Sequence, residues 1–390
     1  MNQGKYVFAQ IFDFVSPNDF LKCVDRYDGD YKTQHFGCWK QYLCMAFGQL
    51  THRESLSDTI LCIQANSEKL YHLGIGKAIA KSTLSKANEN RDWRIYQDFA
   101  LLLIAQAKIL YIGDSQLEVD IKNNVFAIDS STIDLCLSVF PWAKFRKHKA
   151  AVKIHTMIDA KTSIPEFIFI SDGKMHDVNV LDMITFLPDS FYVMDRGYLD
   201  FDRLYHIHKA GAFFVTRAKK GFDFERIYSN DADKENGIKC DQTIKLSGYY
   251  VSKDYPEKLR RIKYYDKKTN KLLIFITNNF ELTALQIALL YKHRWFIELF
   301  FKWIKQHLKI KSFWGESPNA VKTQIWIAVS VYVVMIILKK KLKIQQSIYE
   351  ILQVFSINIF DKVPISQLFN KPELQNVKEP LYNQLKLFNL

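Results

Sequence analysis

The spacing of apolar positions divides the chain into a helical beginning, a β-rich middle and a helical end. Up to about residue 115, apolar side chains recur every three or four positions, as they do on one face of a helix. Within 92–111, Trp93, Tyr96, Phe99, Ala100 and Leu103 share such a face, and Asp92 supplies its cap. The stretch LGIGKAIAKSTLSKANENR predicts a short apolar helix, a Ser82 cap, and a second helix bearing Ser85, Lys86, Asn88 and Asn90. That pattern suits a helix-turn-helix and, equally, two packing helices joined by a turn. After Gly113 the period changes. Val125–Ile128 leads to Asp129; 152–158 alternates and ends at Asp159; 165–170 runs into Ser171-Asp172-Gly173. A helix is predicted over 177–186, a strand over 191–194 ending at Asp195, a helix over 200–209 and a strand over 212–216. Three hairpin-like strands followed by alternating helix and strand imply a mixed α/β sheet with flanking helices.

From about 219 to 279 the chain turns polar and β-rich, with a hairpin pairing 260–265 and 272–277. A long helix then carries YKHRWFIELFFKWIK, and the tail from about 344 reads as amphipathic helix with loops. The apolar run Ile325–Leu338 is about 14 residues long, shorter than the ~20 that span a bilayer. It predicts a buried core segment in a soluble protein with no membrane partner.

Composition adds a partner class. Lys and Arg outnumber Asp and Glu by 54 to 41, a net charge of +13, which favours a polyanion such as nucleic acid. The six cysteines form no CxxC pair and no zinc-finger spacing, so structural zinc is not expected. Scattered cysteines without a signal peptide suit a reducing compartment, and a cytoplasmic location is expected.

The candidate chemistry rests on three carboxylates and a basic stripe. Asp129 and Asp195 each follow an apolar strand, the edge of an α/β sheet where ligands gather. At ~100° per residue, Tyr291, Arg294, Glu298 and Lys305 fall within a ~60° arc of one helix, along ~21 Å. Hard oxygen donors favour Mg²⁺ or Mn²⁺, and two ions ~4 Å apart would activate an attacking oxygen and stabilise a leaving one. Strand-end aspartates are also ordinary turn formers, so the set carries the reading, not any one member. Lys144, Arg146, Lys147, Lys149 and Lys153 lie in an acid-free stretch that fits a DNA-tracking loop or a solvated hairpin. His176-Asp177, following Asp172, suits a second metal site or, for Asp177, a helix cap.

Asp195-Arg196-Gly197-Tyr198 with Tyr-x2-Arg-x3-Glu-x6-Lys resembles the signature of bacterial DDE transposases of the insertion-sequence-four family. AIDSST, around Asp129, resembles the first acidic block, and the likeness extends over about 121–313, with 20–112 resembling a helical N-terminal domain of one branch. The resemblance implies an RNase H-like fold interrupted by a β-rich insertion, plus an all-α N-terminal domain. The divisions expected are 1–115 (DNA-binding), 116–218 and 282–343 (catalytic), 219–281 (insertion) and 344–390 (helical tail). It implies that Asp129, Asp195 and Glu298 hold the metal ions, while Tyr291, Arg294 and Lys305 contact phosphates. It implies further a homodimer that joins paired inverted-repeat ends to target double-stranded DNA by cut-and-paste, through a hairpin. Relatives hold a flipped base with a tryptophan in the insertion, and 219–281 contain none. Tyr249, Tyr250, Tyr264 or Tyr265 would have to stack instead. A catalytically inactive DNA-binding repressor and a nuclease without strand transfer are the alternatives.

Overall fold

The computed structural model describes residues 4–219, 221, 223–307 and 313–369. Six helices come first: α1 (Val7–Phe12), α2 (Pro17–Arg26), α3 (Cys38–Leu50), α4 (Leu56–Ala65), α5 (Lys81–Asn90) and α6 (Arg94–Leu110). Local chemistry sets their starts. Ser16 and Ser55 accept the N–H of Asp19 and Asp58 at the N-termini of α2 and α4, and Pro17 opens the first turn of α2. Asp92 accepts the Arg94 N–H where α6 begins. Of the short apolar helix, Ser82 cap and second helix expected here, only the second helix forms. Residues 70–80 are turns and coil, and α5 starts at Lys81 behind Ala80, which has no capping oxygen. Asn88 is buried and accepts from the Gln41 amide.

The strands are β1 (Val125–Leu135), β2 (Lys144–Arg146), β3 (Lys149–Asp159), β4 (Pro165–Asp172), β5 (Phe191–Met194), β6 (Phe213–Arg217), β7 (Phe224–Asn230), β8 (Ile238–Leu246), β9 (Leu259–Asp266) and β10 (Lys271–Thr277). Helix α7 (Phe201–Lys209) links β5 to β6, and the short α8 (Val251–Asp254) links β8 to β9. The sheet order is β2-β3-β1-β5-β6-β10-β9-β8-β7, with β4 also on β3. Within it, β4-β3-β1 are antiparallel neighbours and β1-β5-β6 are parallel. This is the RNase H-like arrangement. The β-rich residues after 219 form no detached sheet: β10 pairs with β6, so β7–β10 extend the same sheet. The span 177–186, expected as α-helix, is a 3₁₀ segment over Asp177–Met183.

The chain continues with α9 (Ala284–Lys292), α10 (Trp295–Lys302) and a π-helical turn, Trp303–His307, followed by α11 (Pro318–Lys341), α12 (Ile348–Asn358) and α13 (Ile365–Phe369). Of the tail expected over 344–390, residues 370–390 lie outside the described residues. Helix α11 is 24 residues long, enough to cross a membrane by length and composition, but 94% of its apolar window is buried. It is a core helix. One apolar cluster joins Phe8, Tyr42 and Phe99 of the N-terminal helices, Trp326 and Val333 of α11, and Val152 and Ile154 of β3. The N-terminal helices and one face of the sheet therefore share a single core through α11. The start of α1 is tied to the residues that follow α12: the Val7 and Phe8 amides donate to the Asp361 and Ile359 carbonyls.

Candidate active site

Register places the first two carboxylates. β1 and β5 run parallel with Ile128 opposite Met194, so the next residues, Asp129 and Asp195, emerge side by side. Asp129 is not at a strand end as expected. β1 continues to Leu135, held on its other side by β3, where Asp129 faces Thr156. Alternation along β1 sends Ala127 and Ile133 into the α11-side core and Phe126 and Ile128 into the opposite one, so Asp129 belongs to the former face. Asp195 does end its strand: its side chain accepts the Gly197 N–H at 2.6 Å and its carbonyl accepts from Thr216 Oγ1. That aspartate-turn fixes the carboxylate at the sheet edge.

The third carboxylate arrives on α10, but the helix that carries it is not continuous. His293 and Arg294 separate α9 from α10 in a tight turn, with Arg294 N–H bonding to the Tyr291 carbonyl three residues back. A turn of this kind advances more per residue than an α-helix, and the π turn at 303–307 advances less. The four stripe residues therefore do not share one straight face. Arg294 and Glu298 come together: the Arg294 guanidinium donates from Nη1 to Asp129 Oδ2 at 2.7 Å and from Nη2 to Glu298 Oε1. Lys305 reaches β1 instead, donating to the Thr132 carbonyl at 2.5 Å. Tyr291, expected on a phosphate, is 8% exposed and packs on Phe275, ring centroids 4.8 Å apart. Burial raises its phenol pKa, with Arg294 acting the other way.

Electrostatics mark Asp129. Burial pushes its carboxyl up to about 6, Asp195 and Glu298 add to the rise, and Arg294 opposes it. Three coupled carboxylates are a hard-oxygen donor set of the kind that takes Mg²⁺ or Mn²⁺. As they stand they do not clasp an ion: among the described residues, no three Asp, Glu, His or Cys side chains are gathered closely enough. The guanidinium of Arg294 lies between two of the three and supplies the positive charge there.

The tyrosines separate by the sheet's geometry. Tyr264 and Tyr265 stand on β9 toward the same edge as Asp195, whereas Tyr249 and Tyr250 follow β8 at the opposite edge. Sequence reasoning overlooked Trp295, which opens α10 beside Arg294 and is 51% exposed. Nothing in WFIELFF distinguishes it from a core residue; only the turn at 293–294 turns it outward. It also placed Asp177 as a helix cap. No side-chain capping bond forms there, and Asp177 pairs with Lys153 at 2.9 Å.

These elements meet a known family. A transposase DDE domain matches residues 121–334, more than half of the chain, so the protein belongs to the DDE-domain transposases. A domain of unknown function (DUF4372) matches 3–76. A Sinorhizobium fredii protein named as transposase y4zB is 30% identical over 303 residues, 76% of this chain and 80% of its own. One from Geobacillus stearothermophilus, named as the transposase for insertion sequence element IS5377, is 25% identical over 65% of this chain and 66% of its own. A solved piggyBac transposase synaptic complex with hairpin DNA covers 98% of this chain and 87% of its own, at TM-score 0.48 and 10% identity, a likeness too distant to bear on mechanism.

Proposed function

We propose that this transposase binds the inverted-repeat ends of an insertion sequence, as a dimer, and cuts and rejoins DNA strands with Asp129, Asp195 and Glu298 holding divalent metal ions. The observation that carries the reading is the β1–β5 register, which sets Asp129 beside Asp195, with Arg294 tying Asp129 to Glu298. Mg²⁺ or Mn²⁺ held by these carboxylates would lower the pKa of an attacking hydroxyl and stabilise the departing 3′-oxygen.

The chain's own residues do the remainder. Arg294 neutralises the acidic cluster in this arrangement; its fork also matches a phosphate, so a scissile phosphate and metal together can draw it off Asp129 and Glu298. Lys305, anchored on β1, places a second cation at the same strand, and Tyr291 props Arg294 from below, its ring 5.9 Å from the guanidinium carbon. Trp295, exposed next to Arg294, offers a plane on which an unpaired base would stack, which suits a hairpin step. The exposed Lys144, Arg146, Lys147 and Lys149 of the β2–β3 hairpin give the flanking duplex a basic track.

Incubating the protein with labelled element ends, Mg²⁺ and a target plasmid tests the proposal. Cleavage followed by joining is expected. Cleavage without joining would indicate a nuclease, and binding alone a repressor.

A further inference from the structure

The face of the sheet opposite Asp129 carries a polar cluster that the proposed chemistry leaves unused. On β3, Lys153 donates to Asp177 Oδ1 at 2.9 Å and to the Met175 carbonyl at 2.8 Å, and its side chain is only 12% exposed. Next along the same face, His155 is fully buried and bonds Ser171 Oγ at 2.9 Å. Cross-strand register sets Ser130 of β1 opposite His155, and Thr132 opposite Lys153. The Ser130 hydroxyl lies beside both the Asp177 carboxylate and the Tyr198 phenol. Tyr198 is 2% exposed, buried behind the sheet beside Ser130.

Ser130 connects this cluster to the front. Its backbone N–H donates to Asp129 Oδ1 at 2.8 Å while its side chain points to the rear. Tyr198 closes the short 3₁₀ turn after β5, its N–H donating to the Asp195 backbone carbonyl, while the Asp195 carboxylate accepts from the Gly197 N–H. Ser130 of β1 thus joins Asp177 to Tyr198, in the turn after β5, behind the place where Asp129 and Asp195 emerge in front.

We infer that Asp177, fixed by Lys153, is a positioning residue for the Asp129–Asp195 pair. Through Ser130 and Tyr198 it sets the relative height and twist of the β1 and β5 segments, and so the separation of the two front carboxylates. Ligand-orienting groups of this kind typically change metal affinity or activity by ~10–100-fold when removed. A capping or merely stabilising aspartate would change stability and leave metal affinity alone.

This inference rests on the proposed metal-holding role of Asp129 and Asp195, and the experiment separates the two. Asp177→Asn, Asp177→Glu and Asp129→Ala are compared with the unaltered protein in three measurements: urea denaturation, Ca²⁺ or Mn²⁺ titration followed by thermal shift, and end cleavage across a Mg²⁺ series. For Asp177→Asn we expect a fold within the unaltered range, end binding retained, ion half-saturation raised ~10-fold or more, and cleavage lowered to match. Asp177→Glu should recover part of both. If Asp129→Ala is inactive while Asp177→Asn keeps normal ion affinity and cleavage, the positioning role is wrong and the metal site stands. If Asp129→Ala cleaves normally, both fall. A loss in Asp177→Asn that tracks urea stability alone, with ion half-saturation unmoved, also overturns the inference.

Discussion

Arg294 Nη1 stands 2.7 Å from Asp129 Oδ2, so an arginine from the turn between two helices closes on β1. Its other nitrogen holds Glu298 one helical turn further on. A planar fork can serve two carboxylates at once; an ammonium offers a single point. Arg294→Lys should therefore lower cleavage by more than ~10-fold while DNA affinity falls much less. Arg294→Ala should in addition destabilise the fold by ~1–3 kcal/mol, because the half-buried Asp129 loses its partner. Urea denaturation with a parallel cleavage assay checks both. Equal activity of the lysine variant would mean that charge alone suffices.

The shared core makes a different kind of statement. Tyr42 is fully buried, stacks with Trp39 at 5.3 Å and contacts Ser330 of α11 through its hydroxyl. Tyr42→Ala should cost ~3–5 kcal/mol, the usual range for truncating a large buried ring. That loss should appear in the single unfolding transition of the whole chain, not in a separate N-terminal one. A fragment beginning near Asn123 should not fold, since α11 would lose its cover. Two well-separated transitions for the full chain would contradict the single core.

His155 gives the stability a pH dependence. Burial lowers its pKa from 6.5 to about 4, so the folded protein keeps it neutral where the unfolded chain would protonate it. Between pH 6.5 and about 4 the unfolded state binds the extra proton, and stability falls as pH drops through that window. The contribution approaches about 3 kcal/mol below pH 4 and fades over the pH unit above 6.5, where both states become neutral. Comparing His155→Gln with the unaltered protein by denaturation from pH 7 to 4.5 should show a flatter profile for the variant. Parallel profiles would mean that other groups set the acid sensitivity.

Much of this was readable beforehand because burial writes itself into alternation. Phe191–Met194 followed by Asp195, and the β9–β10 hairpin, show in the sequence because each is a short apolar run bounded by turn residues. The continuation of β1 past Asp129 was hidden, because Ser130, Ser131 and Thr132 are polar and read as a turn while β3 holds them in the sheet. The break at His293-Arg294 contains neither Gly nor Pro; there Arg294 reaches across to Asp129 while His293 stacks locally on Phe296. Asp177 was misplaced for a similar reason. An aspartate before an apolar segment reads as a cap, and its real partner, Lys153, is a strand residue far away in sequence. The second-face location of that pair follows only from strand pairing.

The basic hairpin makes a salt-dependent prediction. Lys147 and Lys149 are exposed, so replacing both by alanine should weaken binding to any duplex. The slope of log affinity against log salt should fall by about two, near ~0.9 per phosphate contact. Discrimination between cognate and unrelated ends should stay the same. An unchanged slope would make the hairpin an ordinary solvated surface.

In the proposed function, Asp129 on β1, Asp195 after β5 and Glu298 on α10 hold the ions that cut DNA. The most direct measurement is strand cleavage of labelled element ends by Asp129→Asn, Asp195→Asn and Glu298→Gln, each across a Mg²⁺ and Mn²⁺ series, with end binding measured alongside. Each substitution removes a charge at nearly constant shape, so binding should persist while cleavage falls by several orders of magnitude and saturating metal does not restore it. Normal cleavage by any one of the three would exclude that residue from the site, and normal cleavage by all three would overturn the account.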